Sequence, residues 1–467
     1  MTRMTLACAL VAALAAAPAA LAQGLEGGGG QGRANSPFAG SVPEGSATAQ
    51  PIGLSVKDAV DRALKHNLGL LLQEEAVTSA HGARWLALAD LLPHVSASAG
   101  ESRQVINLEA YGFPAKPSIV GPFNVFDARV YLSQPVVDLA AINHTRAAAA
   151  TERAEQYGIR SARDLVALVA VNLYLQAVTT ASRIEAVHAQ EATATALFKQ
   201  ASDMKQAGVV AGIDVLRAQV QAQNIRQRAL RAENELERSK LQLARAIGLP
   251  PGQSYTLTDK IPYAPLPDVT LEGALQTALA SRPDYLAARE RVAAAAAASQ
   301  AATSELLPTL HLDADYGGIG QTPAAAHATF RVAATVRVPI FEGGRTTGRR
   351  LQAGAELRRR QAELEDVKGR VDYDVRSALL DLTASAQQLE AAKTSVSLAG
   401  QELVQARDRF GAGVAGNIEV TQAQEAEATA SESYIEALYA NNLAKAMLAQ
   451  AIGTAEQSIS AFLGGTK

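Results

Sequence analysis

The sequence predicts a mainly α fold with a small membrane β part: a duplicated helix–strand–strand–helix protomer with long, coiled-coil-like helical hairpins. Three observations predict it. Blocks of residues recur in the same order about 210 positions apart. After each Leu-Leu-Pro the apolar period changes from helical to two. Two long stretches, 140–206 and 344–410, contain no proline.

The duplication is read from fixed offsets. Val56-x-x-Ala59-x-x-x-Ala63-Leu64 recurs as Leu271-x-x-Ala274-x-x-x-Ala278-Leu279, and Leu91-Leu92-Pro93 recurs as Leu306-Leu307-Pro308, both 215 residues on. Gly208-Val209 and Ile213-Asp214-Val215 recur as Gly413-Val414 and Ile418-Glu419-Val420, and Ala246-Ile247-Gly248 as Ala451-Ile452-Gly453, all at 205. Such a period is far too long for a solenoid unit and implies an internal duplication. The expected organisation is a signal peptide over 1–22, a Gly/Ser/Pro-rich tether over 23–50, a first repeat over 51–250, a proline-rich linker over 251–268, a second repeat over 269–456 and a tail over 457–467.

The leader combines Arg3, the apolar run Leu6 to Ala17 and a small-x-small site at Ala20-Leu21-Ala22. The only cysteine, Cys8, lies within it, so the mature chain is expected to lack a disulfide, a thiol nucleophile or a thiolate metal site. Cys8 also stands at the start of the apolar run and not after it, the wrong order for a lipid-attachment signal. No later stretch is read as a membrane-crossing helix, so entry into a bilayer would have to use strands.

Each repeat opens on a helical segment, 56–92 in the first copy, which stops at a proline. Strands are expected near 94–101 and 124–134, then near 309–318 and 328–338. In the second copy Leu310, Leu312, Ala314 and Tyr316 alternate with Thr309, His311, Asp313 and Asp315, and Phe330 to Val338 alternate with Arg331 and Arg337. The first copy sets Phe126, Ala128, Val130 and Leu132 against Asp127 and Arg129. An apolar face outside and a watery one inside is the pattern of a membrane barrel, with Asp127, Arg129, Asp313, Asp315, Arg331 and Arg337 in the lumen. A half-buried soluble sheet shows the same alternation. Four strands cannot seal a barrel, and open edges in lipid cost several kcal/mol per unsatisfied group, so the chain must pool strands with other copies.

The returning helices, at 1.5 Å per residue, could reach roughly 100 Å. Leu382, Leu389, Val396, Leu403 and Phe410 fall at strict sevens, with Ser385, Ala392, Ala399 and Ala406 three residues after the first four. This large-and-small seam suits close, supercoiled packing. Glycines at 208, 212, 411, 413 and 416 then turn each chain back at a hairpin tip.

Chemistry is sparse. The seven histidines (66, 81, 94, 144, 188, 311 and 327) show no metal-ligand spacing, and there is no P-loop or nucleophile elbow. No metal, cofactor or catalytic residue is expected, and a net charge of −3 gives no footprint for nucleic acid. Arg358-Arg359-Arg360 reads as a solvated helix face.

Together these residues resemble the TolC-like outer-membrane efflux proteins over essentially the whole mature chain. The strand exit Val338-Pro339-Ile340-Phe341-Glu342-Gly343-Gly344 matches the family pattern, with Gln134-Pro135-Val136-Val137-Asp138 as its looser first-copy version. The tip pattern Phe410-x-x-Gly413 to Gln424, with Gly208 to Gln219, matches it too. The resemblance implies a homotrimer with a 12-stranded barrel in the outer-membrane lipid and an α-helical tunnel across the periplasm of a Gram-negative envelope. It also implies docking by the tips (Gly208, Val209, Gly413, Val414) onto a periplasmic adaptor, or membrane fusion protein, served by an inner-membrane pump. By position it places Asp214, Glu419, Gln422 and Phe410 at the periplasmic aperture. Asp214 and Glu419 read equally as cation-attracting rings or as ordinary helix-start acids. The expected function is a passive exit duct for efflux or type I secretion. The alternative is a periplasmic coiled-coil adaptor or structural protein.

Overall fold

The computed structural model describes residue 38 and residues 40–114, 116–259 and 269–462; the leader, most of the tether, the second half of the linker and the end of the tail lie outside these. Element lengths repeat with the sequence. The first copy supplies α1 (Val56–His66), α2 (Leu68–Ala89), β2 (His94–Asn107), β3 (Ile119–Val137), α3 (Leu139–Gln206) and α4 (Gly212–Ala246). The second supplies α5 (Leu271–Ser281), α6 (Pro283–Ser304), β5 (Thr309–Gly320), β6 (His327–Arg337), α7 (Arg345–Gly411) and α8 (Asn417–Ala451). The helices thus run 11, 22, 68 and 35 residues in one copy and 11, 22, 67 and 35 in the other.

Two expectations need correction. The segment 56–92 is not one helix. Asn67 takes an extended backbone, and its side-chain oxygen accepts hydrogen bonds from Gly69 N–H (2.9 Å) and Leu70 N–H (3.4 Å), ending α1 and capping α2. An asparagine is a better cap than helix-interior residue, and here it wins over the periodicity. In the second copy the same break falls where Pro283 takes the first helical position of α6. The first-copy strands are also longer than expected. Residues 102–107, rich in polar side chains, and 119–123, interrupted by Gly121 and Pro122, still pair across the β2–β3 hairpin, with a register irregularity between Gln104 and Ile106.

Helix packing is centred on α3 and α7. The early part of α3 packs against α2 and α6, its middle against α1, and its later part against α4 and α8; α7 packs against α6, α5 and α8. Small side chains make this possible: Ala150, Ala154 and Ala162 of α3 and Ala287, Ala295 and Ala302 of α6 are all buried. The main core sits at mid-height, where Ala59 and Ala63 meet Val166, Ala170 and Tyr174. A pseudo-equivalent core pairs Ala274 and Ala278 with Val371 and Val375. The short parallel pair β1 (Ile52–Leu54) and β4 (Tyr255–Leu257) ties the chain's two entry segments there, and the buried Tyr174 hydroxyl donates to Leu54 O at 2.9 Å. A final helix, α9 (Ala455–Phe462), docks on α3 through an Arg163–Glu456 ion pair of 2.6 Å.

The uncharged run 165–182 in α3 corrects the reading that no later stretch is long and apolar enough to span a bilayer. Its residues supply much of the main core, including Val166, Ala167, Val171 and Leu175, which explains its composition by packing. The heptad seam of α7 holds as read: Ser385, Leu389, Ala399, Leu403, Ala406 and Phe410 are buried.

Candidate functional site: sheet, strand exits and hairpin tips

The four long strands form one antiparallel sheet in the order β2-β3-β5-β6, with the two copies joined at β3–β5. Its register puts Ala97, Val130, Tyr316 and Phe330 side by side, and Val95, Leu132, Ala314 and Val332 in the next row. Directly opposed residues share a face, so the apolar sets of all four strands fall on one side. That side is bare: Phe330 is 78%, Tyr316 66% and Val332 65% exposed. The other side carries the charged residues. Arg129 donates to Asp127 (2.8 Å) and Asp315 (2.6 Å), and Ser133 Oγ donates to Asp313 at 2.7 Å. Arg331 lies opposite Asp315, His311 opposite Thr335 and Arg337 opposite Thr309. The six charged residues named from sequence therefore share the polar face. Among the described residues, the outer edges of β2 and β6 have no strand partner.

Each strand exit is a helix-start device. In the first copy β3 passes through Pro135 with a register irregularity before Val137, and the Asp138 carboxylate accepts from Ala141 N–H at 2.9 Å to cap α3. In the second, β6 ends before Pro339, and Gly343 (φ 61°) and Gly344 (φ 85°) take left-handed conformations that turn the chain into α7. Glu342 accepts from Thr346 Oγ1 at 2.9 Å, while Phe341 is 88% exposed.

At the opposite end both long helices close on the same motif. Val209 N–H reaches back to Met204 O (2.9 Å) and Gly208 N–H to Lys205 O (3.0 Å); Val414 N–H reaches Arg409 O and Gly413 N–H Phe410 O, both at 3.0 Å. Gly208 and Gly413 sit at φ 73° and 72°, which this six-to-one closure requires. Val209 and Val414 are exposed. The two tips lie together: Asn417 Nδ2 donates to the Asp214 carbonyl at 3.0 Å. Asp214 and Glu419 both stand in the first turns of their helices, where the macrodipole favours an acid. Each also meets an arginine, Asp214 with Arg217 (3.6 Å) and Glu419 with Arg409 (3.0 Å). Gln422 is exposed in a cleft shared with Ile213, Leu216 and Ile418.

Phe410 departs from its expected place. Its side chain is 2% exposed, packed among Leu197, Leu403, Ala406 and Val420, because it is also the last large residue of the heptad seam. It therefore supports the tip from within and does not line an opening. Sequence reasoning missed Arg217, Arg409 and the buried Asn417, and it missed the Arg228–Glu425 pair joining α4 to α8 at 3.3 Å. Only Arg217, three residues from Asp214 on one helix, left a readable signal. Arg359 and Arg360 are spent on Glu356 and Glu363 of their own helix, each within 3.6 Å. Among the described residues, no group of three His, Cys, Asp or Glu side chains could hold a metal ion.

A bare-faced, open-edged sheet carried on helices of roughly 100 Å defines an envelope-spanning channel subunit. The chain belongs to the outer membrane efflux protein family, whose model matches residues 59–249 and 274–454. It is 26% identical over 402 residues to the outer membrane protein TolC of Vibrio cholerae, covering 84% of this chain and 88% of that one. It is 22% identical over 323 residues to the alkaline protease secretion protein AprF of Pseudomonas aeruginosa, covering 68% and 67%. The fold matches the Campylobacter jejuni CmeC outer membrane channel with a TM-score of 0.74 at 18% identity, over 88% of this chain and 90% of that one. The protein is thus an outer-membrane efflux channel that extends into the periplasm, and not an enzyme.

Proposed function

We propose that three copies close a 12-stranded barrel in the outer membrane and continue as one helical tunnel. This duct receives cargo at the hairpin tips from a periplasmic adaptor and an inner-membrane pump, and conducts it passively. The observation that carries this reading is the sheet with one bare apolar face and two free edges. In lipid each unpaired edge group costs several kcal/mol, so the edges of β2 and β6 need partners, and a second copy offers the complementary edge. Twelve strands leave a water-filled passage, which the mixed charges of Asp127, Arg129, Asp313, Asp315, Arg331 and Arg337 suit.

The tips support the docking half of the reading. Gly208 and Gly413 allow a tight closure that projects Val209 and Val414, a small apolar contact for the adaptor. Asp214, Glu419 and Gln422 mark the narrow end, with Arg217 and Arg409 tempering the negative charge that three copies would bring together. Cargo selection falls largely to the pump.

Conductance in planar bilayers tests this directly. The intact protein is expected to give discrete channels with modest cation preference. Replacing both Asp214 and Glu419 with alanine is expected to change the conductance and weaken cation preference and cation block. Unchanged conductance and block would remove these acids from the constriction, and absence of channels from the intact protein would reject the duct.

A further inference from the structure

The most exposed apolar side chains among the described residues are neither on the sheet nor at the tips. Ile340 is 95% and Phe341 88% exposed, consecutive residues on the turn where the chain leaves β6 for α7. Their first-copy counterparts differ: there the strand continues to Val137, and Asp138 caps α3. The second-copy exit is also basic. Arg345 and Arg350 lie exposed in the first two turns of α7, and no described carboxylate is within ion-pair distance of either. Arg349 is different, bound to Glu305 at 2.8 Å, an ion pair that pins this turn against the end of α6. Leu306 and Leu307, next to Glu305, are 47% and 43% exposed.

Water is a poor neighbour for such a turn. A fully exposed Ile and Phe side by side keep apolar area in water that burial against an apolar neighbour would remove. Two features of the turn identify what that neighbour is. The turn continues the bare apolar face of the membrane-crossing sheet past its periplasmic end, and it carries unpaired guanidinium groups immediately beyond the apolar residues. Apolar side chains followed by arginines match the bilayer edge, where acyl chains give way to anionic headgroups.

We propose that this exit turn is a phospholipid-binding collar: Ile340 and Phe341 insert among the acyl chains of the periplasmic leaflet, and Arg345 and Arg350 bind the phosphates of anionic lipids. The ion pair Arg349–Glu305 sets the height of the collar on the barrel. This rests on the sheet crossing the membrane with its apolar face outward, and it adds a lipid preference that the barrel alone does not require.

The chain's single tryptophan, Trp85, makes a fluorescence test practical. In a Trp85→Phe background, Phe341→Trp reports the collar and Val332→Trp reports the middle of the apolar face, each reconstituted with brominated phosphatidylglycerol or brominated phosphatidylcholine. Both reporters should be quenched by brominated lipid. The collar reporter should favour the anionic lipid by about 25-fold in relative association, about fivefold from each of the two arginines near an anionic surface. Replacing Arg345 and Arg350 with glutamine should abolish that preference without altering the Val332→Trp signal. If Val332→Trp is quenched but Phe341→Trp is not, the collar is wrong while the barrel stands. Shielding of Phe341→Trp from both brominated lipid and aqueous acrylamide would assign the turn to a contact with a second copy. Equal quenching by the two lipids would remove the arginines from the proposal. If neither reporter is quenched, the membrane reading of the sheet itself fails.

Discussion

Glu152 shows how much a single residue of this protein depends on its neighbours. It lies on α3 with its side chain 8% exposed, receives His81 Nδ1 at 2.8 Å and Arg84 Nη1 at 2.9 Å, and is thereby held below the usual carboxylate range. Trp85 Nε1 donates to His81 Nε2 at 3.0 Å, which leaves Nδ1 as the protonated nitrogen facing Glu152 in the neutral ring. Because the folded-state pKa is depressed, this cluster adds stability above the ordinary glutamate value and loses it as pH falls through the depressed one. Glu152→Gln is therefore expected to cost about 1–3 kcal/mol near neutral pH, with the gap to the parent protein closing below about pH 4. Thermal melting across pH checks this; a gap that stays constant would show that the charge contributes nothing. None of this cluster was legible in the sequence, since His81 and Glu152 are 71 residues apart and meet only because α2 lies along α3. The charged residues of the strands were legible, because a period of two assigns faces without any knowledge of partners.

At the scale of the element, length and punctuation carried the prediction. Proline-free stretches became α3 and α7 to within a residue or two at each end, and the glycine pairs became their turns. What failed was the boundary inside the first helical segment and the reach of the first-copy strands. Asn67 divides a helical pattern that contains no proline, and the polar end of β2 pairs because the hairpin register holds it against Ile119, Val120 and Phe123 of β3, not because its own composition favours strand. Phe410 failed for a related reason: one residue satisfied two patterns, and burial in the seam prevailed over the position implied by its relatives. The tips make a testable case. Gly413→Ala forces a Cβ into the left-handed region at a cost of about 1–2 kcal/mol. The equatorial cores lie far from the tip, so the loss should stay local. Faster amide exchange at residues 409–417, with the global melting temperature nearly unchanged, is the expected result; equal exchange would show that the left-handed turn is not what closes the hairpin.

At the scale of the molecule, the duplication explains both what the chain can do and what it lacks. Two copies stack their helices into one body, with α6 of the second copy packed on α3 of the first and an Arg153–Glu290 ion pair of 2.8 Å between them. Their strands merge at β3–β5 into a sheet that still ends in two free edges. The offsets made the repeat legible, and the strand count is what the proposed oligomer rests on. The exposed exit turn of the second copy was legible only as a family motif, because exposure is a property of the folded chain.

The central claim is that β6 of one copy pairs with β2 of the next until three chains close a ring. The mature chain is expected to have no cysteine of its own, so pairs of cysteines scanned along these two edge strands, one at positions 94–101 and one at 328–337, give a direct measurement after mild oxidation in the membrane. The account predicts, for pairs in register, covalent products of two and three chains and a ladder that stops there. Monomers cross-linked only within themselves, or a ladder that runs past three, would contradict it.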